Sequence, residues 1–151
     1  MKLSPVLTSF TCLVTIILFT SFLENKNAGI VSDVLSLTNQ FRKSKGLPAL
    51  TIHSELNEIA EKHSTNMASK RVGFGHDGIE KRNALAKKVI KPMSNFAENV
   101  AYGASNGGGA VNMWKNSPGH RRNMLGNFKY IGIGVAKDKK GRIFYTQVFA
   151  K

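Results

Sequence analysis

Apolar residues recur at helical spacing through the first half of the chain and gather into two long apolar runs at its end, so the period itself predicts helices first and a hairpin last. Ile30, Val34, Leu37 and Phe41 share one helical face and Gly46-Leu-Pro48 stops it, which predicts a first helix over about Val31 to Ser44. Leu56, Ile59, Ala60, His63 and Met67 define the apolar face of a second helix. It opens after His53 with Ser54 as N-cap, carries Glu55 and Glu58 in its first turns, and ends near Lys70. The run Gly73-Phe-Gly-His-Asp-Gly78 leads into a basic helix over about Ile79 to Val89, closed by Pro92. Phe96 to Tyr102 has room for one strand. Gly107 to Gly109 opens a helix through Ala110, Val111 and Trp114 that ends at Pro118-Gly119, and His120 to Leu125 forms a turn or short helix. Tyr130 to Ala136 and Arg142 to Phe149 form an antiparallel hairpin, and both strands are apolar enough for a sheet covered on both faces. The fold class is therefore α+β and layered.

The start of the chain reads differently. After Lys2 no charge appears until Glu24, and Cys12 to Leu23 is nearly all apolar, as in the core of an export signal. A retained membrane anchor through residues 3–23 competes with that reading, although Pro5 and several Ser and Thr dilute its early part. No small-x-small triplet follows Leu23, so no cleavage position is assigned. Residues 1–28 are read as export signal or N-terminal anchor with a short linker, Glu24 to Gly29, and residues 29–151 as one domain. The expected location is secreted or bound to the cell envelope. The single cysteine, Cys12, lies in the apolar segment, where Ser9-Phe10-Thr11 is a weak lead-in for lipid attachment. A domain without thiols must be held by its core alone, which suits a bacterial product better than a disulfide-rich eukaryotic one.

Charge narrows the partners. The formal net charge is +13, and removing residues 1–28 leaves +12. The basic groups concentrate at Lys81 and Arg82, Lys87 and Lys88, Lys91, Arg121 and Arg122, and in the turn that carries Lys139, Lys140 and Arg142. Nucleic acid is not the expected partner, because these clusters lack interleaved aromatics and any helix-turn-helix or metal-knuckle spacing. Anionic lipid headgroups, cell-wall polymers or host glycans fit an exported basic domain, against the simpler reading of a solvated basic surface. A monomer is expected.

Candidate chemistry centres on three residues. His76 lies in Gly75-His-Asp-Gly78 and His120 in Ser117-Pro-Gly-His120, near turns from which side chains reach a cleft. Glu98 is flanked by apolar residues in a strand, where an acid is costly to bury unless a basic or histidine partner meets it. Two histidines and a carboxylate that converge can hold a divalent metal such as zinc with a position left for water; structural hydrogen bonding of the same groups is the alternative. Ser117 could be imagined as a nucleophile but more simply shapes its turn, since there is no Gly-x-Ser-x-Gly elbow and no His-Glu-x-x-His helix. His63 is read as a hydrogen-bonded core residue and His53 as exposed.

Over nearly its whole exported length the chain resembles the CAP superfamily, also called SCP-like or pathogenesis-related-1-like, in its bacterial type. The resemblance rests on Asn39-Gln-Phe-Arg42 followed by Gly46-Leu-Pro-Ala-Leu50, on Ala60-Glu-Lys-His63-Ser64 with Met67-Ala68, and on Ala97-Glu-Asn-Val-Ala101. Trp114-Lys-Asn-Ser-Pro-Gly-His120-Arg-Arg-Asn-Met-Leu125 and Tyr145-Thr-Gln-Val-Phe149 complete it. It implies a three-layer α-β-α sandwich and a cleft of two histidines and two acids. His76, Glu98 and His120 match three of those positions, and Ser117 replaces the second acid. The family's members are associated with lipid and sterol binding, surface interaction, antimicrobial defence and proteolysis, so the fold does not itself choose an activity. Three readings follow. The first is a non-enzymatic binding module for lipid, sterol or an anionic envelope or host-surface component. The second is a metal-assisted hydrolase with His76 and His120 as ligands and Glu98 acting on a bound water. The third is a host or cell-wall interaction protein without pocket chemistry.

Overall fold

The computed structural model describes residues 27–151. The expected export segment and most of its linker lie outside these residues. The linker's last residues are already helical, because helix α1 covers residues 27–43. A two-residue strand β1 (Thr51–Ile52) follows, then α2 (Ser54–Ala68), α3 (Ile79–Val89), β2 (Phe96–Tyr102), α4 (Gly107–Asn116), α5 (Pro118–Met124), β3 (Tyr130–Lys137) and β4 (Ile143–Ala150). The four strands form one sheet in the order β1-β3-β4-β2. β4 runs antiparallel to both neighbours, and β1 joins β3 in parallel.

Strand alternation sorts the core into layers. Ile131, Ile133 and Val135 of β3 with Tyr145 and Phe149 of β4 pack against Val34 of α1 and against Ala110, Val111 and Trp114 of α4. On the opposite face Val148 and Ala150 meet Leu56 and Ala60 of α2 and Ala86 of α3, while Phe144 and Val100 meet Met67. All of β4 is buried, as expected for a strand central to a sheet covered on both faces. The α+β, three-layer expectation holds.

Glycine sets how closely the layers approach. A methyl group at Gly132 would fall inside the backbone of Leu56, and one at Gly134 inside that of Ala60 and Glu61, so α2 lies directly on the β3 backbone. Polar groups complete the seam. Asn57 Oδ1 accepts the Ile133 N–H at 2.8 Å, beyond the end of β1, and the Ser64 hydroxyl donates to the Gly134 carbonyl at 3.0 Å.

On the other side of the sheet, Arg42 is buried and its cation meets carbonyls. Its Nε donates to Pro48 at 2.9 Å, and its Nη1 donates to Met124 at 2.8 Å and to Gly126 at 2.9 Å. It thereby fastens α1 to the C-terminal end of α5, where unpaired carbonyls favour a cation. Desolvation lowers its pKa. Burial likewise pushes the Tyr145 hydroxyl up to about 12; it donates to the Ala104 carbonyl at 3.0 Å.

Three local expectations are corrected. β1 has no counterpart in the sequence reading, because two residues carry no periodicity. The N-cap of α2 is His53, and Ser54 is its first helical residue. His53 is half-buried, its ring edge-on to Tyr130 at 5.4 Å, where exposure is the sequence expectation.

Gly134→Ala should destabilise the domain by about 3 kcal/mol or more, since overpacking against backbone has no side chain to yield. Gly46→Ala, at φ +72° in open space, should cost only about 1 kcal/mol. Urea unfolding of both variants measures the difference.

Candidate functional site

The site is built outward from α2. His63 is buried on the sheet-facing side of that helix, and its Nε2 lies 2.8 Å from the Gly75 carbonyl, so this nitrogen carries the proton. The bond fixes the loop before α3. Gly78, at φ +75°, then turns the chain into that helix. One turn on, Arg82 reaches back, donating from Nη1 to the Asp77 carbonyl at 2.8 Å and from Nη2 to the His76 carbonyl at 3.3 Å.

The same guanidinium grips Glu98, with Nε on Oε2 and Nη2 on Oε1 at 2.8 Å. His76 Nδ1 donates to Oε1 at 2.9 Å, and His63 Nε2 stands 3.9 Å from the same oxygen. Glu98 is buried, and its carboxylate is held as the bidentate partner of a buried cation. Arg82 is therefore not part of the exposed basic surface; it is 8% exposed. The other basic residues expected there, Lys81, Lys87, Lys88, Lys91, Arg121, Arg122, Lys139, Lys140 and Arg142, are exposed.

Alternation along β2 turns Glu98 toward α3 and its neighbour Asn99 toward α5. Asn99 Nδ2 donates to the His120 carbonyl at 3.1 Å and to Gln147 Oε1 at 3.2 Å, while its Oδ1 accepts from Asn123 at 2.9 Å. Gln147 donates onward to the Thr38 hydroxyl at 2.9 Å, so a buried polar row crosses from α5 to α1. Desolvation lowers the pKa of the His120 imidazole, and the proximity of His76 lowers it further. Desolvation also lowers that of His63, with the Gly75 hydrogen bond opposing.

The structure thus joins His76 to Glu98 and brings His120 within electrostatic reach of His76. Ser117 links α4 to α5 as the C-cap of one and the N-cap of the other, without a side-chain capping bond. Among the described residues, no hydrogen bond joins it to the Glu98 network. Asn123 and the Asn99–Gln147 pair are participants that sequence reasoning did not assign to the site, and Arg82 is one that it assigned to the basic surface instead. Arg82 had a signal: with Ala86 and Ile90 it forms an i, i+4, i+8 buried stripe, a spacing that places its side chain inward.

This arrangement limits the chemistry. Both oxygens of the Glu98 carboxylate are engaged by Arg82 and His76, whereas His76, bonded through Nδ1, presents its Nε2 on a side chain that is 43% exposed. No three His, Cys, Asp or Glu side chains among the described residues converge as a metal site. With Glu98 held by Arg82, the side chains left to hold a divalent ion are His76, through the Nε2 opposite its bond to Glu98, and His120.

A central sheet between two helical layers, with a loop histidine paired to a glutamate of its edge strand, defines a sandwich domain of the SCP type. A sequence model of the Cysteine-rich secretory protein family, CAP, matches residues 35–149, and the chain belongs to that family. It is 36% identical over 121 residues to the uncharacterized membrane protein YlbC of Bacillus subtilis (strain 168), covering 78% of this chain and 33% of YlbC. It is 32% identical over the same length to the uncharacterized protein YkwD of that organism, covering 78% of this chain and 46% of YkwD. An SCP-domain extracellular protein of Bacillus anthracis superposes with a TM-score of 0.71 at 30% identity, covering 82% of this chain and 41% of that one. A cysteine-rich secretory protein of Staphylococcus aureus does so with a TM-score of 0.66 at 26% identity, covering 82% and 39%. The chain spans less than half the length of these relatives. The Bacillus anthracis neighbour is an extracellular protein, and no helix among the described residues of this chain is long and apolar enough to cross a membrane.

Arg82→Ala should cost about 3–5 kcal/mol, because it strands a buried carboxylate, while Arg82→Met combined with Glu98→Leu should recover most of that loss. Thermal denaturation of the three proteins checks it. A second expectation concerns pH. His63 and His120 titrate below the ordinary imidazole value when folded, so the unfolded chain binds more protons below about pH 6.5. The stability they contribute is complete above that pH and is lost as pH falls toward the folded values. The melting temperature should therefore drop between pH 7 and pH 5, with a shallower slope in His63→Gln.

Proposed function

We propose that this chain is an exported, non-catalytic binding domain of the bacterial envelope that holds an anionic component through its basic surface. The observation that carries the reading is the state of Glu98. Gripped by Arg82 and His76, its carboxylate serves the architecture and has little capacity left to activate water. The exposed lysines and arginines supply attraction of the opposite kind: long-ranged, salt-sensitive and suited to a polyanionic partner. The extracellular protein of Bacillus anthracis and the membrane protein of Bacillus subtilis that resemble it support a location at or beyond the membrane.

One observation favours a hydrolytic alternative. His76, oriented by Glu98 with Nε2 free, has the form of a general base, though no nucleophile or oxyanion donor stands beside it among the described hydrogen bonds. The two readings part under one experiment. The protein should sediment with isolated bacterial envelopes at about 50 mM salt and be released by about 500 mM, in keeping with screening of surface charge. His76→Ala should bind as the parent does. Loss of attachment in folded His76→Ala would return the function to the cleft, and salt-independent attachment would remove the basic surface from it.

A further inference from the structure

Away from the cleft, two concavities adjoin at the end of the sheet where α2 stops and the β3–β4 turn folds back. One, of about 470 Å³, has Lys70, Lys137, Lys139, Lys140 and Arg142 in its walls, with Asp138 as its one carboxylate. Asp138 is already engaged. Its Oδ1 accepts the N–H groups of Lys140 and Arg142, and its Oδ2 accepts from Arg142 Nε at 2.8 Å. The carboxylate shapes the turn and leaves the lysines uncompensated.

The other concavity, of about 480 Å³, is floored by aromatic rings and has no acid in its walls. Phe74 and Tyr102 meet at 4.7 Å, and Tyr102 stacks on Phe144 at 5.6 Å. Phe74 is 51% exposed and Tyr102 43% exposed, the two most exposed aromatic residues of the described chain. Lys70 and Arg142 line both concavities and form the saddle between them.

Lys70 holds that place against its backbone preference. At φ +58° it is the only non-glycine residue with positive φ among the described residues, in the position after a helix where glycine is usual. Glycine there would be easier for the fold and would remove the cation from the saddle.

Resting on the envelope-binding reading above, we infer that this saddle binds an anionic glycan chain. Its acidic substituents sit among Lys70 and the turn lysines, beside the Arg142–Asp138 pair, and a sugar ring lies against Phe74 and Tyr102. Charge complementarity selects the anion. Rings exposed beside polar groups select a flat, partly apolar face such as that of a pyranose. Shape selects a chain over a bilayer, because the aromatics line a hollow and pack on one another, whereas a flat membrane is met by side chains that protrude.

Calorimetry on the full chain tests the site with four probes. These are an oligogalacturonate, its methyl ester, inorganic polyphosphate, and vesicles of phosphatidylglycerol in phosphatidylcholine. The oligogalacturonate should bind about tenfold more tightly than its uncharged ester or the ringless polyanion. Lys70→Gly should weaken that binding about fivefold or more while raising the melting temperature, a pairing that misfolding cannot produce. Phe74→Ser with Tyr102→Ser should weaken it similarly, and Ala84→Glu, which lowers the net charge by the same one unit as Lys70→Gly at an exposed position of α3, should not. Equal binding of oligogalacturonate and polyphosphate, or equal losses in Lys70→Gly and Ala84→Glu, would overturn the site in favour of diffuse charge. Vesicle binding sensitive to Lys70→Gly without glycan binding would assign the saddle to a membrane and overturn it too. Salt-releasable envelope attachment that survives in Lys70→Gly and Phe74→Ser/Tyr102→Ser would sink the glycan site and leave the broader function standing.

Discussion

Helix α2 lies on the backbone of β3 because Gly132 and Gly134 present no side chain to hold it away, and the rest of the site follows from that contact. With the helix pressed to the sheet, Ser64 reaches the Gly134 carbonyl and His63 is driven into the interior, where it can only satisfy itself on a nearby carbonyl. It takes that of Gly75. The loop so fixed delivers His76 to Glu98 and starts α3 where Arg82 can close over both. A helix standing even one methyl farther out would leave His63 short of its partner and the loop without its anchor.

The Glu98–Arg82 pair illustrates how a polar residue in an apolar strand is accommodated. Burying either charge alone is prohibitive, and the pair is tolerable because two of the guanidinium's three remaining N–H groups are spent on the Asp77 and His76 carbonyls. The same bonds tie the loop, the helix and the edge strand into one unit. On the other side of β2, Asn99 does comparable work with neutral groups, joining α5 to β4 and through Gln147 to α1. Two adjacent residues of one strand, pointing oppositely, thus secure both helical layers.

Much of this was legible in the sequence, for identifiable reasons. The helices from Ser54 and Ile79 and the terminal hairpin carry strong periodicity over many residues, and tertiary packing reinforces it. The need of Glu98 for a cation or histidine followed from its apolar neighbours, and the structure supplies both kinds. What escaped was identity and partnership. Arg82 sits within a run of basic residues, which masks its i+4 relation to Ala86. β1 is too short to show a period, and its place beside β3 depends on a parallel pairing across most of the chain. The saddle at Lys70 escaped because its parts come from the end of α2, the loop after it, β2 and the final turn, and only folding makes them neighbours.

Arg42 carries a consequence of another kind. Residues 29–151 contain no cysteine, yet α1 is bound to the C-terminal end of α5 across 82 positions of chain by a single side chain and the carbonyls of Met124 and Gly126. This crosslink needs no oxidant to form and no isomerase to correct, and a reductant does not open it. The domain therefore acquires its staple by folding alone, as readily in a reducing environment as in an oxidising one.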